Sequence, residues 1–211
     1  MIRRRATAGT AARRADRGQS TVEFALIVPV FMLLLLGLLE FGMAFDHTIT
    51  LSYATREGAR TASALVNGGG ALGCGGSASP DAATVDPRIV AAVQRVLTSP
   101  GSQVAIARVS EIRIYRATAT GAETAGAVNV WHYDPGNGPT VDGEQLDFSV
   151  ASVGWPACTR SNANPPESVG VSLRYRYEFA TPLAAVLNLI GGSGATGLDV
   201  SDRTVMAMNP T

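Results

Sequence analysis

One long apolar run dominates the hydrophobic pattern near the start of the chain. Sixteen consecutive uncharged residues extend from Phe24 to Leu39. As a helix this run is roughly 24 Å long, and its continuation past Glu40 to Phe45 reaches the roughly 30 Å thickness of a hydrocarbon core. The pattern predicts a transmembrane helix over residues 19–45. Pro29 lies within it, removes one backbone hydrogen bond and predicts a kink.

A secretory signal peptide is the alternative interpretation of this run. Basic residues precede it, as they do in a signal peptide. The run is longer than the usual apolar region of about 7–15 residues, and no clean A-x-A cleavage site follows. A transmembrane anchor therefore fits the pattern better.

Helical spacing continues beyond the apolar run. It predicts an extramembrane continuation of the helix over residues 46–66, followed by a Gly-rich linker over residues 67–85. Four side chains recur at helical intervals and form the predicted apolar face of the continuation: Phe45, Ile49, Tyr53 and Ala54.

The remaining residues, 86–211, mix helical and strand patterns. Asp86 as N-cap and Pro87 at the first position predict the start of a helix. Its apolar face consists of Ile89, Val90, Val93, Val96 and Leu97. Period-two alternation predicts four strands, at residues 111–116, 128–133, 171–179 and 198–208. Residues 134–168 are rich in Pro, Gly and Asn and are interpreted as a long loop.

Strands with one polar face are typical of an antiparallel sheet with one side in water. We therefore predict an α+β fold class, in which a long N-terminal transmembrane helix is followed by a small antiparallel sheet with packed helices. A short apolar helix is predicted after Thr181 and Pro182. Its large side chains belong to the core or, if exposed, form a docking patch: Leu183, Val186, Leu187 and Ile190.

The net charge of zero hides an asymmetry along the chain. Residues 1–17 hold six arginines and one acid, whereas residues 46–211 hold 11 arginines and 14 acids. Because basic flanks stay in the cytoplasm, residues 1–18 are predicted to be a cytoplasmic leader and residues 86–211 an extracytoplasmic head. The protein is then a single-pass protein of the cytoplasmic membrane. No basic stripe with interleaved aromatic residues is present, so no nucleic-acid partner is expected.

Two carboxylates flank the apolar run. Ser20 and Glu23 fit a capping box at the start of a helix, where the positive end of the helix also favours Glu23. Glu40 lies near the outer interface. Its carboxylate either snorkels to water or makes a buried contact with a partner helix.

Catalytic chemistry is not indicated by any group of residues. His47 and His132 are interpreted as surface or capped side chains. Asp142, Glu144 and Asp147 form an acidic loop whose spacing does not fit the EF-hand, which leaves a weak calcium site as the less favoured alternative. We predict no enzyme activity and no cofactor.

The two cysteines, Cys74 and Cys158, lie 84 positions apart. An even count in an exported domain predicts one disulfide. In the loop-entropy model, a bond closing so long a loop stabilises the fold by roughly 4–5 kcal/mol. Two separately buried thiols are the alternative.

The residues upstream of Glu23 suggest a processing signal. Basic residues precede Gly18, Gln19 follows it, and the pair Glu23-Phe24 opens the apolar run. This arrangement resembles the class III signal of type IV pilin-like proteins and the Glu-aromatic pair of the Flp pilins. The resemblance implies that a prepilin peptidase cuts between Gly18 and Gln19. The new amine at Gln19 is then neutralised by Glu23 of a neighbour, a pair that sets register in a low dielectric.

Further motifs resemble the TadE-like family, whose members are pseudopilin-like components of the tight-adherence (Tad/Flp) pilus system. The motifs are Glu23-Phe24-Ala25 with Pro29, Glu40-Phe41-Gly42, and Arg56-Glu57-Gly58-Ala59-Arg60, with weaker matches at residues 173–177, 181–183 and 203–206.

This resemblance implies a pilin-like fold and a non-covalent role in pilus assembly. The implied partners are the membrane, other pilins or pseudopilins, pilus assembly proteins and the prepilin peptidase. The implied assembly residues are Glu23, Phe24, Pro29 and Glu40, and the block from Arg56 to Arg60 is either a solvated helix face or an interaction surface. An uncleaved, membrane-anchored envelope protein with a ligand-binding or hydrolytic head is the rival interpretation.

Overall fold

The computed structural model describes residues 12–65, 81–189 and 196–209, without the side chains of residues 12–17 and of Leu187. The fold is α+β, as predicted: a long N-terminal helix is followed by a small antiparallel sheet and further helices. The chain divides into two compact units. The first comprises Met1–Gly42 and Phe179–Ala195, and the second comprises Met43–Glu178 and Thr196–Thr211.

Helix α1 extends over Ala12–Ala64 and contains the predicted span and residues 46–64 of its predicted continuation. Pro29 lies inside it, and the helix continues through this residue. Because α1 includes the residues from Ala12 onward, Ser20 and Glu23 lie within the helix, so the predicted capping box at its start is wrong for this chain. Gly18 is the weakest helix former near that point, and one glycine costs only about 1 kcal/mol in a helix interior.

Helix α2 extends over Ala82–Leu97 and starts four residues before the predicted cap. Asp81 is the N-cap, and its Oδ1 accepts a hydrogen bond from the backbone N–H of Ala83 at 3.1 Å. The prediction that Asp86 caps this helix is therefore wrong. The carboxylate of Asp86 is instead used in a tertiary contact with Arg160.

Five antiparallel strands form the main sheet in the order β5-β2-β1-β6-β7. The strands β1 to β7 extend over Val109–Ala117, Glu123–Tyr133, Thr140–Val141, Glu144–Gln145, Phe148–Val153, Ser168–Glu178 and Gly197–Ala207. The four predicted strands are confirmed as β1, β2, β6 and β7. On β6 the predicted inner face is buried at four positions: Val171, Leu173, Tyr175 and Tyr177.

The predicted long loop at residues 134–168 is wrong in part. It contains the hairpin of β3 and β4, the edge strand β5 and a short 3-10 helix, Ala157–Thr159. Among the described strands, β5 pairs with β2 alone, and its short alternation is surrounded by turn residues. Its strand character therefore comes from the partner strand more than from local pattern.

The inner face of α1 differs from the prediction. Leu51, Ala54 and Ala59 are buried, whereas Phe45 and Tyr53 are 67% and 61% exposed. The buried face consists largely of small residues, which lets the helix backbone approach its neighbours closely. A Cβ atom on Gly58 would lie 2.6 Å from Cγ2 of Val93. The buried face is therefore the one that allows close packing of the helix backbone. The large side chains of the predicted face remain at the surface: Phe45, Ile49 and Tyr53.

The third helix, α3, extends over Leu183–Leu189 and confirms the predicted short apolar helix. Leu183 and Val186 are half-buried, and Leu189 is 86% exposed. Ile190 lies outside the described residues.

Candidate assembly site

The residues of the predicted processing signal lie on one exposed turn of α1. Gly18, Gln19 and Glu23 are all exposed. The side-chain amide of Gln19 donates a hydrogen bond to Oε1 of Glu23 at 3.1 Å, one helical turn away. Phe24 is 69% exposed beside it. Glu23 therefore offers an accessible carboxylate next to an accessible aromatic ring.

The apolar run forms an exposed apolar surface along α1. Among the described helices, this one alone is long and apolar enough to cross a membrane. Large side chains that are at least half exposed occur from just before the run to its end: Val22, Phe24, Leu26, Ile27, Val30, Phe31, Met32, Leu34, Leu38 and Leu39. Such a surface is unstable in water and requires lipid or apolar protein partners.

Glu40 closes this run and is buried, with only 3% of its surface exposed. Its Oε1 accepts the backbone N–H of Ala180 at 2.8 Å, and its Oε2 accepts the backbone N–H of Thr181 at 2.9 Å. The Thr181 hydroxyl also donates to Oε2. The snorkelling interpretation is therefore wrong, and the buried contact that was expected with a partner helix is made within this chain.

Thr181 connects this carboxylate to the first turn of α3. Its Oγ1 donates to Glu40 and accepts the backbone N–H of Leu183 at 3.3 Å. The chain before α3 thus directs three donors at one carboxylate. Charge-assisted hydrogen bonds of this kind are about twice as strong as neutral ones.

The block from Arg56 to Arg60 divides into an outward and an inward half. Arg56 and Arg60 are exposed, whereas Gly58 and Ala59 are buried. Arg60 forms two hydrogen bonds with Glu57, at 2.6 and 3.0 Å, and its guanidinium lowers the pKa of the Glu57 carboxyl. Gly58 and Ala59 allow close packing of α1 on its neighbours, whereas Arg56 and Arg60 leave two guanidinium groups at the surface.

His47 lies just beyond the predicted span and packs on two tyrosines of β6. Its Nδ1 is 3.1 Å from the Tyr175 hydroxyl, and its ring centroid is 5.1 Å from that of Tyr177. Burial lowers the pKa of His47, while Asp46 opposes and Arg108 adds to that shift. A neutral imidazole therefore suits this contact.

A buried polar network in the second unit was missed by the sequence patterns. Arg160 is 2% exposed and pairs with Asp86 at 2.7 Å. Its guanidinium lies 4.6 Å from the centroid of the Trp155 ring. Asn129 donates to Asp86 at 2.6 Å and to the Trp155 carbonyl at 2.8 Å. An arginine in a loop rich in Pro and Gly carries no local signal of burial.

An apolar cavity of about 550 Å³ borders this network. Trp131 lines it, and its buried indole N–H has no hydrogen-bond partner among the described residues. Asp86 and Cys158 also line the cavity, together with side chains of β5.

The acidic loop residues are used as partners of basic or amide groups. Asp142 lies 3.7 Å from Arg88, and Glu144 lies 2.7 Å from Arg95. Asp147 Oδ1 accepts the backbone N–H of Gly136 at 3.3 Å. Within the described residues, no cluster of His, Cys, Asp and Glu has the arrangement of a metal site.

His132 and Cys158 complete the placement of the predicted residues. The His132 side chain is 57% exposed, and its Nε2 lies 4.0 Å from a carboxylate oxygen of Glu111. Cys158 lies in the short 3-10 helix Ala157–Thr159. Cys74 lies outside the described residues, so its pairing with Cys158 stays a prediction.

These features define a class of protein: a long N-terminal helix with an exposed apolar segment, followed by a small antiparallel sheet with packed helices, an architecture consistent with pilin-like proteins. Within that class, the family model described as TadE-like protein matches residues 18–60. This confirms the resemblance to the TadE-like family over the segment that carries Glu23, Glu40 and Gly58. The match covers 43 of the 211 residues. No curated protein and no solved structure matches the chain.

Proposed function

We propose that this protein is a TadE-like minor pseudopilin that takes part in assembly of a Flp/Tad-type pilus through non-covalent helix packing. The observation that carries the proposal is the exposed apolar surface of α1, which coincides with the family match. Helices of this kind bury their apolar surface in lipid or against neighbouring helices. The protein is anchored once in the cytoplasmic membrane, with its N-terminus in the cytoplasm and its head outside.

Processing by a prepilin peptidase between Gly18 and Gln19 is part of this proposal. The new α-amine at Gln19 lies one helical turn from Glu23, whose carboxylate is exposed. In a bundle, Glu23 of one subunit neutralises the amine of a neighbour, and in a low dielectric this pair sets the register of the two helices. Phe24 and the side chains that follow it supply the apolar contact, and other pilins or pseudopilins are the partners.

N-terminal sequencing of the protein from its own host tests this route, with and without the prepilin peptidase. A start at Gln19 that requires the peptidase supports the proposal. A start at Met1 in both strains would leave an uncleaved anchor. A start beyond Phe45 would show that the run is a removed signal peptide and would refute the anchored form.

The Glu23→Gln variant tests the register pair directly. It should be inserted and cleaved normally but should impair piliation. Asp46→Asn is the matched control, because Asp46 is an exposed carboxylate on the same helix outside the run. Normal piliation by Glu23→Gln would contradict the register role.

A disulfide between Cys74 and Cys158 is also proposed, because an exported domain with two cysteines favours one bond. Mass spectrometry of the alkylated protein counts the thiols. Reducing agent should lower the melting temperature of the head. Two free thiols and an unchanged melting temperature would exclude the bond.

A ligand-binding head on an uncleaved anchor is the second candidate. The cavity beside Trp131 favours it, because a buried indole N–H without a partner among the described residues invites an acceptor. Asp86, the one carboxylate in its lining, is engaged by Arg160. The cavity therefore suits a neutral apolar ligand better than a hydrolytic reaction. Ligand-dependent changes in tryptophan emission, compared with a Trp131→Phe variant, would test this candidate.

A further inference from the structure

A segment far from the apolar run in sequence is also uncharged and contains an apolar helix. No charged side chain occurs from Phe179 to Leu198. Helix α3 lies in this segment, and six of its seven residues are apolar. Leu189 is 86% exposed at its end. A helix that is apolar on nearly all sides has no polar face to present to water.

The contact with Glu40 shows at which height along α1 this segment begins. Glu40 follows Gln19 by 21 residues, which corresponds to roughly 32 Å of helix and matches a hydrocarbon core of about 30 Å. If Gln19 lies at the inner boundary of the membrane, Glu40 lies at the outer one. Ala180 and Thr181 lie at the same level, because their backbone nitrogens are 2.8 and 2.9 Å from the carboxylate.

The burial pattern of α1 marks a half-buried stretch that ends at Glu40. Leu33, Leu36 and Gly37 are half-buried and share the face of Glu40. The remaining leucines of that stretch are exposed: Leu34, Leu35, Leu38 and Leu39. The stretch from Leu33 to Glu40 rises roughly 10 Å, which is also the length of a seven-residue helix. Both segments belong to the same compact unit, and α3 therefore has the length to cover this half-buried stretch of the apolar run.

We propose that residues 179–189 form a second membrane-embedded segment, which lies in the outer leaflet beside α1 with lipid acyl chains as the partner of its exposed face. The proposal rests on the membrane anchoring of α1 given above. Lipid is the occupant favoured here because the segment carries no charge, starts at the level of the outer end of the apolar run, and exposes Leu189, as the run exposes its own leucines.

The hydrogen bonds between Glu40 and the chain before α3 suit both groups to a membrane position. Backbone N–H groups in lipid find no water and must be satisfied within the protein. The carboxylate satisfies those of Ala180 and Thr181 before α3 begins. In return, the three donors satisfy a carboxylate that would be costly in hydrocarbon. The carboxylate at the end of the apolar run is thus the attachment point of the second segment.

Fluorescence quenching by brominated lipid tests the proposal. The full chain is reconstituted in phosphatidylcholine vesicles with and without bromine on the acyl chains. Leu189→Trp reports on α3, Phe31→Trp on the run, and Ser201→Trp on an exposed position of β7. Leu189 is almost fully exposed, so its replacement does not disturb packing. Asn188→Trp, also at an exposed position, is a second reporter. Emission of the native tryptophans is subtracted with the unsubstituted protein.

We expect brominated lipid to at least halve the added emission at positions 189, 188 and 31 and to leave that at position 201 unchanged. Quenching at 31 alone, with water-like emission at 188 and 189, would overturn the second segment and leave the anchor intact. Blue-shifted emission at 189 without quenching would assign the face to a neighbouring subunit and also overturn the lipid contact. Absence of quenching at all positions would refute the anchor and this inference together.

Discussion

Replacement of Glu40 by Gln should release the chain segment before α3. The amide retains one acceptor oxygen, so one of the two backbone N–H groups keeps a partner, and the other faces the amide NH₂. One orphaned, partly buried donor costs about 1–3 kcal/mol, and the remaining bonds lose their charge assistance. We expect a local loss of about 2–3 kcal/mol, at the upper end of that range because both effects act together. Glu40→Ala should cost more, since it removes every acceptor.

Hydrogen exchange of the Ala180 and Thr181 amides measures this loss in the full chain in lipid nanodiscs. A loss of 1.4 kcal/mol corresponds to a tenfold change in an equilibrium constant, so a loss of about 2–3 kcal/mol should accelerate the exchange of these amides about 30- to 140-fold. Leu39→Ala is the matched control, because Leu39 precedes Glu40 and is 59% exposed. The amide of Ile112 in β1 should exchange at the same rate in all variants. Unchanged exchange of Ala180 and Thr181 in Glu40→Gln would refute the reasoning.

Three further predictions concern the second unit. Gly58→Ala should lower the free energy of unfolding by about 1–3 kcal/mol, because the added methyl group overpacks against Val93. Gly42→Ala should not, because the space around Gly42 is open. Equal melting temperatures of the two variants would contradict the close contact at Gly58. Because burial lowers the pKa of His47, the unfolded chain binds a proton more readily than the folded one, so the free energy of unfolding should fall as pH drops from about 7 to 5. Denaturant titrations should show a weaker pH dependence for His47→Asn. The same pH dependence in both proteins would contradict this role of His47. Arg160→Met leaves the mostly buried Asp86 carboxylate without its cationic partner, although the Asn129 amide still donates to it. It should cost about 3 kcal/mol, against about 0–1 kcal/mol for the exposed Arg95→Met. Similar denaturation midpoints of the two variants would exclude the buried pair.

Elements with a strong local pattern were predictable from sequence. The apolar run is identified by its unbroken length, and strand β6 by the two-residue period of a half-buried strand. Strand β5 has only a short alternation, and its conformation depends on its pairing with β2.

The inner face of α1 could not be predicted in the same way, because the helix carries two candidate faces. Phe45 and Tyr53 form the more hydrophobic one, but Ala54 and Gly58 form the one that lets the backbone approach Val93. A period identifies a helix, and only its neighbours decide which face is covered. The partners of Glu40 are 140 and 141 residues away in sequence, beyond the reach of any local pattern.

The two carboxylates at the ends of the apolar run therefore have different physical roles. Glu40 is buried and accepts three hydrogen bonds from its own chain, so a partner helix would have to break these bonds to use it. Glu23 is exposed and accepts a hydrogen bond from the side-chain amide of Gln19, which water or another donor can replace at this exposed position. Pairing with a neighbouring subunit is thus much less costly for Glu23 than for Glu40. For this reason we expect piliation to respond to Glu23→Gln through assembly, and to Glu40→Gln through the placement of α3.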